Sequence, residues 1–376
     1  MKIVLTGGGT GGHFYPMLAV GRALLQAADE VRQIDLRIVF MANEPFDARA
    51  LENSGIRFVR VRSGKIRRYF SLQNLIDPFR TFSGILGACW KFFIDPPDAV
   101  FSTGGGQAFP MMIASRIFRV PVLMYDADTV PGRVSAYTAK FAERIAINFP
   151  EAATHFPRER VALTGHPIRK EIFGGVTTIA YDHLGMTDTL PVLVVLGGSQ
   201  GAEALNDVII NALPRLREHV HVIHQTGATH AQLVKDEITV IEQQTPNTAP
   251  GTYMPKGFLS EEELRDVAVV ARIVVARAGA GTISEIAAWG VPSILIPLPA
   301  AAGDHQRMNA YAYARTGAAE VLEQQNCTPN VLSARIEYIL ANADVERRMK
   351  TAAKSFAHPE AALTIARELL QMARHA

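Results

Sequence analysis

The stretch that decides the reading of this chain is RAGAGTISEIAAWGVPSILIPLPAAAGDHQRMNA, residues 277–310. An apolar run at 273–276 leads through Gly279 and Gly281 into TISE and a helical pattern. That order spells strand, glycine-rich turn and helix N-terminus. Such a turn binds an anion, because its unpaired amides and the positive end of the helix dipole attract a phosphate that glycine lets approach closely. The expected cradle is Gly279, Ala280, Gly281, Thr282, Ile283 and Ser284. Glu285, on the first turns of the helix, is placed to accept hydrogen bonds from vicinal hydroxyls such as those of ribose. As an isolated residue it reads better as a favourable dipole charge; the whole run argues for the binding role. The apolar segment SILIPLP then ends in a loop holding Asp304, His305, Gln306 and Asn309, polar groups suited to a second polyol. Phosphate, ribose and sugar together make the inventory of a nucleotide-sugar site.

The 376 residues exceed one ordinary core and suit two domains of about 150–200 residues each. An apolar content of 48% and a charged content of 20% describe a soluble globular chain. The net charge of +2 gives no bulk attraction to nucleic acid, so any membrane attraction is local. Cys89 and Cys327 are the only cysteines, too few for a disulfide framework or a cysteine zinc site, which fits a reducing cytosol. The start, MKIVLTGGG, lacks the long apolar core and small-residue cleavage site of a signal peptide. No apolar run approaches the ~18 residues of a spanning helix, so membrane contact is expected at the surface only.

The N-terminal half repeats the strand–glycine–helix unit. Residues 2–5 read as a buried strand, GGGTGGH at 7–13 as the turn, and 16–27 as a helix with Pro16 near its first turn, where no N–H is needed. Gly7, Gly9 and Gly12 also satisfy G-x-G-x-x-G, which admits a nicotinamide or flavin dehydrogenase. The acid that pattern expects roughly 20 residues on has only Glu44 as a loose match. His13 directly follows the last glycine. An imidazole at a helix N-terminus has its charged form disfavoured and can accept a proton near pH 7. His13 is therefore a candidate general base at a strand-end crevice; a capping or packing role is the alternative for a lone histidine.

Between residues 65 and 93 the composition shifts to cations interleaved with aromatics. The cluster Lys65, Ile66, Arg67, Arg68, Tyr69 and Phe70 suits anionic headgroups and acyl chains, and is assigned membrane contact. The apolar residues that follow, at near-helical period, read as the buried stripe of one or two helices. Another strand over 99–102 ends in TGGGQAFP, a third glycine loop carrying Gly104, Gly105 and Gly106. Asp126-Ala127-Asp128 is a literal D-x-D, yet hard cations need several oxygen ligands and no further acidic cluster lies nearby. Metal binding is rejected there. Asp126 and Asp128 remain as two carboxylates at a strand end, able to bind sugar hydroxyls or to assist proton removal.

Residues 160–173, RVALTGHPIRKEIF, mark the expected linker, with domains over 1–165 and 166–349. From residue 190 a second such unit begins, and Gly197, Gly198, Ser199, Gln200 and Gly201 form another anion-binding turn, with Ser199 placed to donate to a phosphate oxygen. Residues 345–376 read as helical and charged, and 350–376 is expected to rejoin the first domain.

GGGTGGHFYP, TGHPIR, GGSQGAEALN, RAGAGTISEIAAWGVPSILIPLP and DHQRMNA, in this order, resemble the MurG family of UDP-N-acetylglucosamine transferases. The resemblance implies an α/β protein of glycosyltransferase-B architecture: two Rossmann-like domains with parallel sheets facing across a cleft, the donor held mainly by the C-terminal one. It implies metal-independent, inverting transfer of N-acetylglucosamine from UDP-GlcNAc to an undecaprenyl-diphosphate-linked muramoyl peptide, without a cofactor, on the inner face of the cell membrane, beside possible cell-wall synthesis partners. It carries donor binding onto Thr10, Gly11, Gly12, Asp128, Arg169, Gly198, Ser199, Gln200, Gly201 and Leu259, and onto 279–285 with His305, Gln306 and Asn309. Acceptor binding falls on Gly104, Gly105 and Gly106, and catalysis on His13 and Asp126.

The departures cluster. Where the family reads H-E-Q-N, this chain has Tyr125, Asp126, Ala127 and Asp128; a Gly-Gly-Tyr is Gly104-Gly105-Gly106; the Asn of T-G-N-P is His166; the first Gln of a sugar-binding pair is His305. Most of these are expected in acceptor-side and sugar-side pockets. The rival readings are a related enzyme with another lipid acceptor, a UDP-GlcNAc 2-epimerase, a dehydrogenase, and a non-catalytic UDP-sugar-binding protein.

Overall fold

The computed structural model describes residues 1–64, 73–198, 201–244, 249–299 and 301–375. The chain divides into two compact units, Met1–Arg169 with His358–Ala376, and Lys170–Ala357.

The first unit is built on β1 (Lys2–Thr6), β2 (Arg37–Ala42), β3 (Arg57–Arg60), β4 (Ala99–Ser102), β5 (Val122–Asp126), β6 (Arg144–Ile147) and β7 (Val161–Leu163). They form one sheet in the order β3-β2-β1-β4-β5-β6-β7, every pairing parallel. All residues of β1 and β4 are buried, because helices cover both faces of a parallel sheet and leave no position for a polar outer side chain. The order reverses direction between β1 and β4, and at such a switch point the loops after the two strands part and leave a crevice at their carboxyl ends.

The second unit repeats this plan with β8 (Val192–Leu196), β9 (His221–Gln225), β10 (Tyr253–Lys256), β11 (Ala271–Ala276), β12 (Ser293–Leu295) and β13 (Ala319–Val321). The order is β10-β9-β8-β11-β12-β13, again parallel, with its switch point between β8 and β11. Both glycine turns of the C-terminal half therefore sit at the switch point of their own sheet.

Three sequence expectations change. The first helix is Gly11–Glu30, so Pro16 lies inside it and His13 belongs to its first turn. The terminal helical segment is two helices, Ala343–Phe356 and Ala361–Arg374. Pro359 separates them, since it has no amide to donate and disfavours helical backbone at His358. The boundaries shift accordingly: 166–169 stay with the first unit and 350–357 with the second. Ala343–Phe356 packs beneath helix Ala280–Trp289, where a Cβ on Gly290 would come within 2.6 Å of the Lys354 side chain. Ala361–Arg374 instead buries Leu363, Ile365, Leu369 and Leu370 in one cluster with Leu18 and Leu24 of the first helix.

Candidate active site

In the first unit the loop after β1 runs through Gly7, Gly8 and Gly9, all at positive φ. At Gly7 space excludes a side chain as well, since a Cβ would lie 1.9 Å from Thr103 Oγ1. Thr10 caps the first helix with backbone only, Gly12 and Thr10 are exposed, and Gly11 is buried. His13 is half-buried, and its Nδ1 lies 2.7 Å from the Thr103 carbonyl oxygen. A carbonyl only accepts, so Nδ1 carries a proton, and in the neutral imidazole the lone pair is on Nε2. Thr103 Oγ1 in turn donates to the His13 carbonyl at 2.8 Å, clamping the residue from both ends.

The third glycine loop meets this histidine. Gly104 and Gly105 have φ of 76° and 78°, and a Cβ on Gly105 would fall 3.0 Å from the Gly8 oxygen and 3.2 Å from His13 Cδ2. A Cβ on Gly104 would lie 2.9 Å from Ser135 Oγ, and Ser135 is the hydrogen-bonding side chain that restrains Asp126. Gly106 opens the short turn that carries Gln107, whose Oε1 accepts the Asn43 amide at 3.1 Å. His13, the loop 104–106 and Asp126 are thus joined by successive contacts at the carboxyl ends of β1, β4 and β5.

Asp126 is the last residue of β5 and 4% exposed. Oδ1 accepts the Asp128 amide at 3.3 Å, while Oδ2 is buried with no hydrogen-bond partner among the described residues. Burial, with the nearby Asp128 carboxylate adding to it, pushes the Asp126 pKa up to about 7 despite the Ser135 hydrogen bond. A carboxyl titrating there can hold or release a proton at working pH. Asp128 is half-exposed. Among the described residues no group of three or more His, Cys, Asp and Glu gathers as for a metal ion.

Arg169, expected on the donor, is 5% exposed, and its guanidinium carbon sits 3.9 Å from the centroid of the Tyr15 ring in the first helix. That is a cation–π contact in the first unit.

In the second unit Gly279 is the N-cap of helix Ala280–Trp289 and no side chain caps its amides. The backbone of 280–282 therefore presents donors at the positive end of the dipole. Ile283 and Ser284 are buried, whereas Gly281, Thr282 and Glu285 are half-exposed. Arg277, which the sequence reading passed over, fixes this corner: its Nη1 donates to the Ile296 carbonyl at 3.1 Å and its Nη2 to Gln324 Oε1 at 2.8 Å. Asn309 is fully buried and its Nδ2 donates to the Ala278 carbonyl at 3.4 Å, which ties the two loops. Gln306 accepts the Leu298 amide at 3.0 Å, and His305 starts helix His305–Ala314.

The turn after β8 has Gly198 and Gly201 at φ of 85° and 81°, and a Cβ on Gly201 would lie 2.8 Å from the Thr226 oxygen. Ser199 and Gln200 lie outside the described residues. The helix that follows, Glu203–Leu216, already has Glu203 in its first turn, so an anion here is met by loop amides more than by the dipole. Leu259 is fully buried with its amide donating to Gln225 Oε1 at 3.2 Å.

The chain matches the glycosyltransferase family 28 N-terminal domain over residues 3–147 and the glycosyltransferase family 28 C-terminal domain over residues 192–365. It is 33% identical over 366 residues, 97% of both chains, to UDP-N-acetylglucosamine–N-acetylmuramyl-(pentapeptide) pyrophosphoryl-undecaprenol N-acetylglucosamine transferase 2 of Bacillus cereus. This chain belongs to the MurG family. The crystal structure of Acinetobacter baumannii MurG superposes with a TM-score of 0.72 at 26% identity, covering 98% of this chain and 99% of that one. A UDP-GlcNAc 2-epimerase from Neisseria meningitidis, with a TM-score of 0.68 over 99% of this chain and all of that one, is 12% identical and shares the fold alone.

For a MurG-family chain the departures at 125 and 166 then take a different meaning from the one expected. Tyr125 is fully buried and His166 is 6% exposed, with the Tyr125 hydroxyl 2.6 Å from His166 Nδ1. They touch each other in the interior instead of lining a pocket. Burial holds His166 neutral, its pKa down to about 3, and keeps the Tyr125 phenol protonated. Thr103 and Ser135 were also passed over. Thr103 had a faint signal, standing between a strand and three glycines, and Ser135 had none.

The proposed membrane cluster, Lys65 to Phe70, lies outside the described residues. The helix after it, Gln73–Ile94, differs from expectation. Gly84, Ala88 and Phe92 form its buried stripe, but Phe79, Phe82, Leu86, Trp90 and Phe93 are 57–75% exposed and recur at helical spacing along another face. No helix among the described residues is long and apolar enough to cross a membrane.

Proposed function

We propose that this enzyme transfers N-acetylglucosamine from UDP-GlcNAc to a lipid-linked muramoyl pentapeptide in one inverting, metal-independent displacement. The near full-length likeness to transferases of that name supports the substrates, and the fixed His13 tautomer carries the chemistry. Nε2 takes the proton of the acceptor hydroxyl as its oxygen attacks the anomeric carbon. The bond from that carbon to the phosphate oxygen breaks on the opposite side, and UDP leaves with the electron pair. The Thr103 carbonyl stabilises the imidazolium that forms, much as a buried acceptor does in other His-dependent mechanisms. Asp126 assists by orienting the hydroxyl or by receiving its proton.

The leaving diphosphate is met by the uncapped amides at 280–282 and by the turn 197–201, while Glu285 accepts from the ribose hydroxyls. No cofactor is required in this scheme. The acceptor is lipid-linked, and the exposed apolar face of helix Gln73–Ile94, flanked by Arg80 in its pair with Asp77, supports a peripheral seat on a membrane surface; the cytoplasmic side is part of the proposal.

The test is UDP release by purified protein from UDP-GlcNAc, with and without a lipid-linked muramoyl peptide. Acceptor-dependent release is expected, and His13→Ala should lower it by about 10²–10⁴. Release that ignores the acceptor, or a His13→Ala protein as fast as the parent, would sink the assignment.

A further inference from the structure

Tyr125 and His166 each depart from the family pattern, and each is the other's partner. The ring centroids are 5.7 Å apart and the hydroxyl-to-Nδ1 distance is 2.6 Å. Around this contact the chain closes a ring. Asp126 is in register with Ile147 across β5 and β6, and the Ile147 carbonyl accepts the amides of Thr164 and Gly165 at 3.1 and 3.2 Å. His166 comes next and returns to Tyr125, the residue before Asp126. Gly165 can make this turn only without a side chain: its φ is +78° and a Cβ would lie 2.2 Å from that of His358. Asp126 Oδ2 has no partner among the described residues, so besides the Ser135 hydrogen bond its placement depends on the backbone at the tip of β5.

We propose that Tyr125 and His166 act as one positioning pair that sets the tip of β5, and with it the Asp126 carboxyl, for the transfer reaction. The inference rests on the functional reading above. With the imidazole neutral, an asparagine oxygen at 166 falls near the place of Nδ1 and can take the same hydroxyl hydrogen. A leucine there, or a phenylalanine at 125, leaves a buried polar atom without its partner.

The experiment compares Tyr125→Phe, His166→Leu, His166→Asn and the double variant Tyr125→Phe with His166→Leu, each checked for an intact fold by circular dichroism and melting. Acceptor-dependent UDP release is measured against donor concentration and pH. The two disrupting single variants should lose about tenfold in kcat. The KM for UDP-GlcNAc should stay within about twofold and the acid limb of the pH profile should move. His166→Asn should recover most of the parent rate, and the double variant should cost no more than either single. Folded Tyr125→Phe and His166→Leu proteins with the parent kcat and pH profile would overturn the pairing while leaving the functional reading intact. So would a His166→Asn protein as slow as His166→Leu. A parent that releases no UDP in the presence of acceptor overturns the functional reading and the pairing with it.

Discussion

At the scale of single residues the proposed chemistry turns on how two side chains are held. Thr103 fixes a proton of His13 on Nδ1, and burial outweighs the hydrogen bonds to Asp126 and raises its pKa to about 7. The carboxyl therefore costs stability when ionised. Its folded pKa of about 7 lies above the ordinary 3.8, so between these values the folded chain binds more protons than the unfolded one and stability falls as pH rises. Asp126→Asn should raise thermal stability at pH 8, by up to about 4 kcal/mol. The gain should vanish below about pH 4 in paired melts across pH. The same substitution should lower the transfer rate; a stability gain of the same size at both pH values would contradict the raised pKa of this buried carboxyl.

At the scale of elements, helix Gln73–Ile94 is read differently by pattern and by structure. Its apolar residues recur at helical spacing all the way round, so period alone could not separate the stripe facing the sheet from a second one facing outward. Only the packing against helix Phe109–Phe118 and the sheet shows that Ala88 and Phe92 are inside while Trp90 and Phe93 are outside, their rings stacked with centroids 6.2 Å apart. Replacing Phe82 and Trp90 together by serine should leave the melting temperature almost unchanged, because little burial is lost. Sedimentation with vesicles of mixed neutral and anionic lipid should fall at least about fivefold, as removal of two inserted aromatic groups implies. Unchanged sedimentation would remove this face from the membrane seat.

At the scale of the whole molecule, both units use the same topological device, a glycine turn at the switch point of a parallel sheet. In the proposed reaction the second unit's amides and Glu285 bind the nucleotide, and His13 and Asp126 of the first act on the hydroxyl. Binding and turnover should separate on mutation. By calorimetry with UDP-GlcNAc, Glu285→Ala should weaken binding about tenfold, as expected for loss of a charged hydrogen-bond acceptor. His13→Ala should bind the donor with nearly the parent affinity. The reverse result would place the nucleotide in the first unit.

Much of this was legible in the chain itself. Buried parallel strands are written as uninterrupted apolar runs, and backbone at positive φ as glycine. The runs at 2–6, 192–196 and 271–276 with their following glycines therefore announced two doubly wound sheets and the glycine turns at their strand ends, with His13 in the first turn of the helix after one of them. What the sequence by itself could not decide was which polar residues face a ligand and which hold the walls. Asn309, Gln306 and Leu259 each place one hydrogen-bonding group on a neighbouring loop, which no local pattern announces. Arg169 lies over Tyr15. Thr103, Ser135 and Arg277 act on residues distant in sequence. Tyr125 and His166, 41 positions apart, meet only because β5 and the segment after β7 are brought together in one unit. Local pattern specifies conformation through short-range sterics and hydropathy, whereas the partner of a buried polar atom is chosen by long-range packing, and that choice belongs to the tertiary structure.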